Sequence, residues 1–241
     1  MITDRIECPT AEETLMHSSQ LDTFVRDQLP VILDRAYHGG TQIFAIDGRP
    51  GIGKTTMAKF ILAHFKRLGI DVEMVSTDDD VKPRDERAGL SIIDYHPGRI
   101  AKRAARRRLY DGEQPSEFDE LNYRTASGKI DTPRHYRIPG QGGILIIEGF
   151  RSIEHALRIG GRDGGDLQKI LPIYLDAPSY VVNGRRFARD VVKKGLSKSE
   201  VQRRIDTQEG VLKAYGDDTV HDLTVGTASI VREITHIVFE N

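Results

Sequence analysis

The stretch Ala45–Thr56, AIDGRPGIGKTT, has the residue types and spacing that hold a polyphosphate. Gly48 to Thr55 satisfies G-x-x-x-x-G-K-[ST] at every fixed position, with the apolar run Ile43-Phe44-Ala45-Ile46 before it and a helix-like pattern after it. Gly48, Gly51 and Gly53 permit backbone angles that a Cβ would hinder, so successive N–H groups turn inward toward phosphate oxygens. Arg49, Pro50 and Ile52 complete the loop, and the helix that starts beyond it adds its positive dipole end to the anion site. In this arrangement Lys54 reaches the β- and γ-phosphates, the Thr55 hydroxyl ligates magnesium, and Thr56 follows in the first helical turn. A glycine-rich turn carrying an incidental lysine is the bland alternative; the complete motif and its correct flanks weigh against it.

A triphosphate site alone does not separate a kinase from a GTPase or a mechanical ATPase, whereas carboxylates do. The acidic cluster Val75-Ser76-Thr77-Asp78-Asp79-Asp80 follows an apolar strand, and ligand sites in open α/β sheets lie beyond the carboxyl ends of strands. A phosphoryl acceptor needs a carboxylate to orient and deprotonate its hydroxyl, which makes Asp78 a general-base candidate; an acidic turn facing water is the alternative. Glu148 ends the nearly all-apolar run GILIIE and is suited to a magnesium-bound water or to the acceptor, unless it merely reaches solvent. Arg185, Arg186 and Arg189 lie within about one helical turn, Arg186 and Arg189 on one face. Arginines on a closing segment stabilise the charge spread over a transferring phosphoryl group; solvated helix charge is their ordinary reading.

The elements that position these groups alternate. Helical spacing covers 19–37 and 54–68, and strands are predicted at 42–47, 70–76, 143–148, 170–176 and 221–225, with a further one at 234–239. This pattern specifies an α/β fold, a mainly parallel sheet flanked by helices. The 241 residues suit one domain with a full core, residues 1–40 forming a helical extension and roughly 178–200 a lid. Lysine plus arginine total 35 against 36 acidic residues, so no basic excess points to nucleic acid. The one cysteine, Cys8, excludes an intrachain disulfide and suits a reducing cytoplasm. The N-terminal segment has no signal-like apolar region and no run is long enough for a membrane span, so a cytoplasmic, membrane-free protein is expected. Scattered histidines give no zinc spacing.

In this order the motifs resemble the uridine kinase and phosphoribulokinase group of P-loop kinases, from about Ile43 to Val225. Ser76-Thr77-Asp78 is similar to that family's S-x-D, whose aspartate is the catalytic base, and Ile146 to Phe150 to its strand ending in glutamate-glycine. Asp94-Tyr95-His96-Pro97 resembles its acceptor segment, and Gly112 to Pro115 with Phe118-Asp119 its acceptor-pocket stretch. Arg185 to Asp190, followed by Gly195, resembles the lid, and Glu209, Tyr215 and Asp222 to Val225 the late helix and last core strand. The resemblance implies a P-loop kinase fold with an arginine-rich lid, ATP and Mg2+ as cofactors, and a small-molecule hydroxyl as acceptor. On that basis Asp78, Lys54, Glu148, Arg186 and Arg189 are catalytic, residues 48–56 and Arg185 hold the nucleotide, and Thr55 and Glu148 serve the metal. Asp78, Asp94, His96, Phe118, Tyr123 and Arg124 would line the acceptor site.

The departures concern that acceptor. The stretch Phe118 to Arg124 lacks the family's base-reading histidine, and Asp80 stands where an aromatic residue is usual, so a nucleoside substrate does not follow. The basic run Arg99 to Arg108 reads as a solvated helix face or, through Arg99 or Arg103, as contact with an anionic acceptor. The leading reading is therefore a metabolite kinase. The alternative is a regulatory P-loop NTPase acting on a protein partner, against which no N-K-x-D segment is present. Self-association as a homo-oligomer stays open.

Overall fold

The structure is a computed structural model that describes residue 27 and residues 29–81, 97–121, 133–161, 166–215 and 235–238. Its centre is strand β1 (Ile43–Gly48), all six residues of which are buried. A strand covered on both faces has no polar side to turn outward, which is why its sequence runs apolar rather than alternating. Strand β1 pairs in parallel with β5 (Ile144–Glu148) on one side and β6 (Ile170–Asp176) on the other. Beyond β5 lies β2 (Val72–Ser76), and beyond β6 lies β7 (Thr235–Val238), giving a five-stranded parallel sheet in the order β2-β5-β1-β6-β7. Chain direction across the sheet reverses at β1, so the crevice at its carboxyl end is a topological switch point.

The two faces of β1 feed separate cores. Phe44 and Ile46 pack with Ile146 and Ile173 against α1 (Leu29–His38), α2 (Lys54–Arg67) and the start of α5 (Ser179–Lys194). Ile43 and Ala45 pack with Leu145 and Ile147 against α3 (Arg99–Tyr110) and α4 (Ser152–Gly160). Each fully buried Ile or Phe is worth about 1.5–3 kcal/mol, so apolar packing, rather than the polar crevice, holds the sheet. Helix α6 (Lys198–Tyr215) follows α5.

Where described, the elements keep to their expected places within a few residues, and the strand expected at 234–239 is β7. The strand expected at 221–225 lies outside the described residues. The sequence reading did not foresee an antiparallel hairpin, β3 (Ser116–Leu121) with β4 (Pro133–Ile138), which covers α3. Five of its twelve residues are Asp, Glu or Arg, and its inward side is carried mainly by Phe118 stacked on Tyr136, 5.3 Å between centroids, with Ile138.

Candidate nucleotide and acceptor site

The phosphate loop leaves β1 at Gly48 and enters α2 at Lys54. Gly48, Gly51 and Gly53 have φ of 139°, 95° and 113°, the left-handed side of the map that the motif requires. A Cβ on Gly48 would collide with the Leu175 carbonyl of β6. Lys54 folds back over the loop, its Nζ donating to the carbonyls of Gly48 at 2.7 Å and Arg49 at 3.0 Å. Desolvation pulls the Lys54 ammonium below the usual lysine range. Asp47, Asp78 and Glu148 oppose this, and the charge of Arg189 adds to it.

Parallel register sets Ser76 and Ile46 on either side of Glu148, so the carboxyl ends of β2, β5 and β1 meet at one level. There the Thr55 hydroxyl donates to Glu148 Oε2 at 3.1 Å, which brings together the two side chains expected at the metal. Glu148 is buried, so it does not reach solvent. A hydroxyl and a carboxylate beside a glycine cradle are the hard oxygen donors that Mg2+ takes alongside phosphate oxygens. These residues therefore fit a magnesium triphosphate.

The three aspartates after β2 sit on a 3-10 turn (Thr77–Asp80) and have separate surroundings. Asp78 is exposed, near enough to Lys54 for its charge to be felt there. Asp79 is buried and accepts from Arg134 Nη1 at 3.0 Å and the Tyr136 hydroxyl at 3.3 Å. Burial, then the Asp79 charge, push the Tyr136 phenol above its ordinary range. Asp80 is also buried, and its Oδ2 accepts the backbone N–H groups of Arg99 and Ile100. The residue preceding α3, Gly98, contributes no side-chain cap, so Asp80 satisfies orphan amides of that helix from another segment. Where an aromatic group was expected to be replaced in the acceptor pocket, this carboxylate closes a helix.

Asp47 does the same for α4. Its carboxylate accepts from Gly48 N at 2.7 Å and is bonded by the amides of Ile153 and Arg151, while Arg151 offers α4 no side-chain cap of its own. Burial pushes the Asp47 carboxyl up to about 6 against the pull of Lys54 and these amides. Sequence reasoning missed Asp47; a lone carboxylate ending an otherwise apolar central strand was the available signal. Gly149, at φ 125°, has no room for a Cβ beside the Thr77 hydroxyl, which itself donates to Phe150 O at 3.0 Å.

Helix α5 carries the lid arginines onto the loop. Arg49 donates to Ser179 Oγ at 2.6 Å, Arg185 Nη1 lies 3.5 Å from Ile52 O, and the aliphatic stem of Arg186 lies against Gly51. Arg186 is buried, with Nη2 directed at Arg204 O, whereas Arg189 is more exposed and donates to Asp190 Oδ1 at 2.8 Å. Of the acceptor residues, Phe118 is 4% exposed and covered by Tyr136 and the guanidinium of Arg103, 4.6 Å from its ring centre. It is a hairpin core residue rather than a pocket wall. Asp94, His96, Tyr123 and Arg124 lie outside the described residues.

No protein-family model matches the chain, and no curated protein matches it in sequence. Solved structures do. A protein described as a fructose transport system kinase, from Silicibacter sp., is similar at 16% identity over 93% of this chain and 98% of its own, with a TM-score of 0.51. D-glycerate 3-kinase from Cryptococcus neoformans aligns at 13% identity over 82% of this chain and 86% of its own, with a TM-score of 0.47. A protein described as a uridine kinase, from Bacillus stearothermophilus, aligns at 18% identity over 71% and 94%, with a TM-score of 0.43. The first of these likenesses shows the fold, that of the P-loop kinases.

Proposed function

We propose that this chain is a small-molecule kinase that moves the γ-phosphoryl group of ATP to a hydroxyl of a metabolite of nucleoside, sugar or sugar-phosphate type. The observation that carries the reading is the contact of Thr55 Oγ1 with Glu148 Oε2 at the mouth of the glycine loop, with exposed Asp78 at the adjoining strand end. A threonine and a strand-end carboxylate at the metal are common to kinases and nucleotide switches; the second carboxylate, exposed Asp78 within electrostatic reach of Lys54, is the group that a hydroxyl acceptor would use. The sugar-kinase description of the Silicibacter neighbour is compatible with this reading.

In the proposed reaction the backbone of residues 48–56 and Lys54 hold the triphosphate. Asp78 orients the acceptor hydroxyl and takes its proton as the oxygen bonds to the γ-phosphorus, and the bond from that phosphorus to the β,γ-bridging oxygen breaks to release ADP. Thr55, with Glu148 beside it, would hold magnesium, which would supply charge neutralisation to the phosphate oxygens. Arg185 and Arg189 approach the loop from α5 and oppose the negative charge there, while the bulk of that helix excludes water. Arg186 serves through its stem, which packs on Gly51.

The test is a screen of nucleosides, pentoses, sugar phosphates and small hydroxy acids with magnesium ATP, reading ADP release and product mass together. One acceptor should raise ADP release far above the acceptor-free rate and gain the mass of a phosphoryl group. ATP hydrolysis stimulated by none of these compounds refutes the reading.

A further inference from the structure

The basic run on α3 divides by contact. Arg103 pairs with Glu120 at 3.0 Å, Arg107 donates to Glu117 O, and both stack on Phe118; Arg108 is buried with Nη2 on Gly143 O. These belong to the hairpin and the sheet edge. Lys102 faces the other way, toward the N-terminus of α4. Its ammonium donates to Pro97 O at 2.7 Å, and no carboxylate pairs with it among the described residues. Its neighbour is Arg151, which bonds Glu154 through Nε and Nη2 at 2.5 and 2.7 Å but whose buried Nη1 has no partner. Arg158 also draws on Glu154, at 2.8 Å, so one carboxylate serves two guanidiniums. The crowding registers on Lys102, which burial and then Arg151 hold below the ordinary lysine range, with Arg158 adding to the effect and the Glu154 and Asp80 carboxylates opposing it.

Both cations stand near the carboxyl end of the sheet. Arg151 lies three residues beyond Glu148, its amide is tied to Asp47, and Lys102 lies one turn along α3 from the amides that Asp80 binds. Two cationic donors with spare N–H groups, close enough to repel each other where α3 packs against the start of α4, are arranged for an anion. We infer that Lys102 and Arg151 form an anion subsite whose occupant is a phosphate or carboxylate group carried by the acceptor. That the occupant belongs to the acceptor rests on the kinase reading; the anion site does not.

Two measurements separate the claims. Inorganic phosphate, titrated calorimetrically into the nucleotide-free protein, should bind at the loop and at the subsite. Lys54→Ala should remove the first event, Lys102→Met the second, and Lys102→Arg should retain both. In the second measurement, ribose is compared with ribose 5-phosphate, and glycerol with glycerate, as acceptors. The anionic member of one pair should lead in kcat/KM by about 100-fold or more, the pair identifying phosphate or carboxylate. Lys102→Met should raise its KM by about tenfold with the KM for ATP unchanged. Phosphate binding indifferent to Lys102→Met, or equal use of neutral and anionic acceptors, overturns the subsite while leaving the kinase. A phosphate event dependent on Lys102, without turnover of any acceptor, overturns the kinase reading and the acceptor assignment with it.

Discussion

Asp47 makes the stability of this protein depend on pH in an unusual direction. Its carboxyl is pushed up to about 6 from an ordinary 3.8, first by burial. The native state therefore holds a proton between these values that the unfolded chain has released, and stability falls as pH rises through that window. About two units at 1.36 kcal/mol each amount to about 3 kcal/mol, fully present below pH 4 and lost above pH 6 to 7. Asp47→Asn cannot ionise and escapes this loss, though it gives up acceptor capacity toward Gly48, Arg151 and Ile153. That deficit is the same at every pH. The difference in unfolding free energy between variant and wild type, from urea titrations of the nucleotide-free protein at pH 4 to 7.5, should shift by about 3 kcal/mol in favour of the variant. A difference that stays flat, or wild type gaining on the variant as pH rises, would refute the reasoning that burial outweighs the amides and Lys54 at this carboxyl.

Lys54→Ala should abolish turnover and weaken ATP binding with the fold retained, as read by ATP titration and circular dichroism, because among the described residues the ammonium bonds loop carbonyls. With a confirmed acceptor, Asp78→Asn should lower single-turnover phosphoryl transfer by roughly 10²–10⁴-fold at unchanged ATP affinity; a wild-type rate removes Asp78 as base, and the bonded Asp79 and Asp80 are poor replacements. Glu148→Gln should instead raise the magnesium concentration needed for half-maximal activity, since an amide is the weaker partner for metal or its water. Gly48→Ala should cost roughly 1–3 kcal/mol in urea unfolding, through its positive φ and the collision with the Leu175 carbonyl.

The parts legible in the sequence are those whose signal is local. The phosphate loop is a fixed spacing, and β1 and β5 are apolar runs whose burial leaves no alternation. The Thr55 and Glu148 encounter follows once those strands are neighbours. The hairpin was not legible because SEFDEL and PRHYRI carry charges outward and pack mainly through Phe118, Tyr136 and Ile138. The same blindness affected Phe118, whose motif suggests a pocket and whose packing makes it core. Asp47 and Asp80 escaped because the amides they bind belong to helices that begin far along the chain, and no spacing rule links an aspartate to them. The basic run resisted for another reason: helical periodicity gives the direction of each arginine but not which neighbours already claim it.

The order of strands also dictates how the chain must wait for itself. Ile43 pairs with Leu145 and Ile170, so β1 is made about 100 residues before the first of its neighbours. At ribosomal speeds of about 5–20 residues per second, that is roughly 5–20 s in which six buried positions have no sheet to join. One side of the strand need not stay bare. Phe44 and Ile46 meet Leu29, Leu33, Ile61 and Phe65, all within the same early segment, so α1 and α2 can shield them during synthesis. On their side, Ile43 and Ala45 have only Val75 of β2 in their cluster before α3, β5 and α4 emerge. A nascent chain stalled after α2 therefore displays half a core, and that half is the side on which a chaperone would bind.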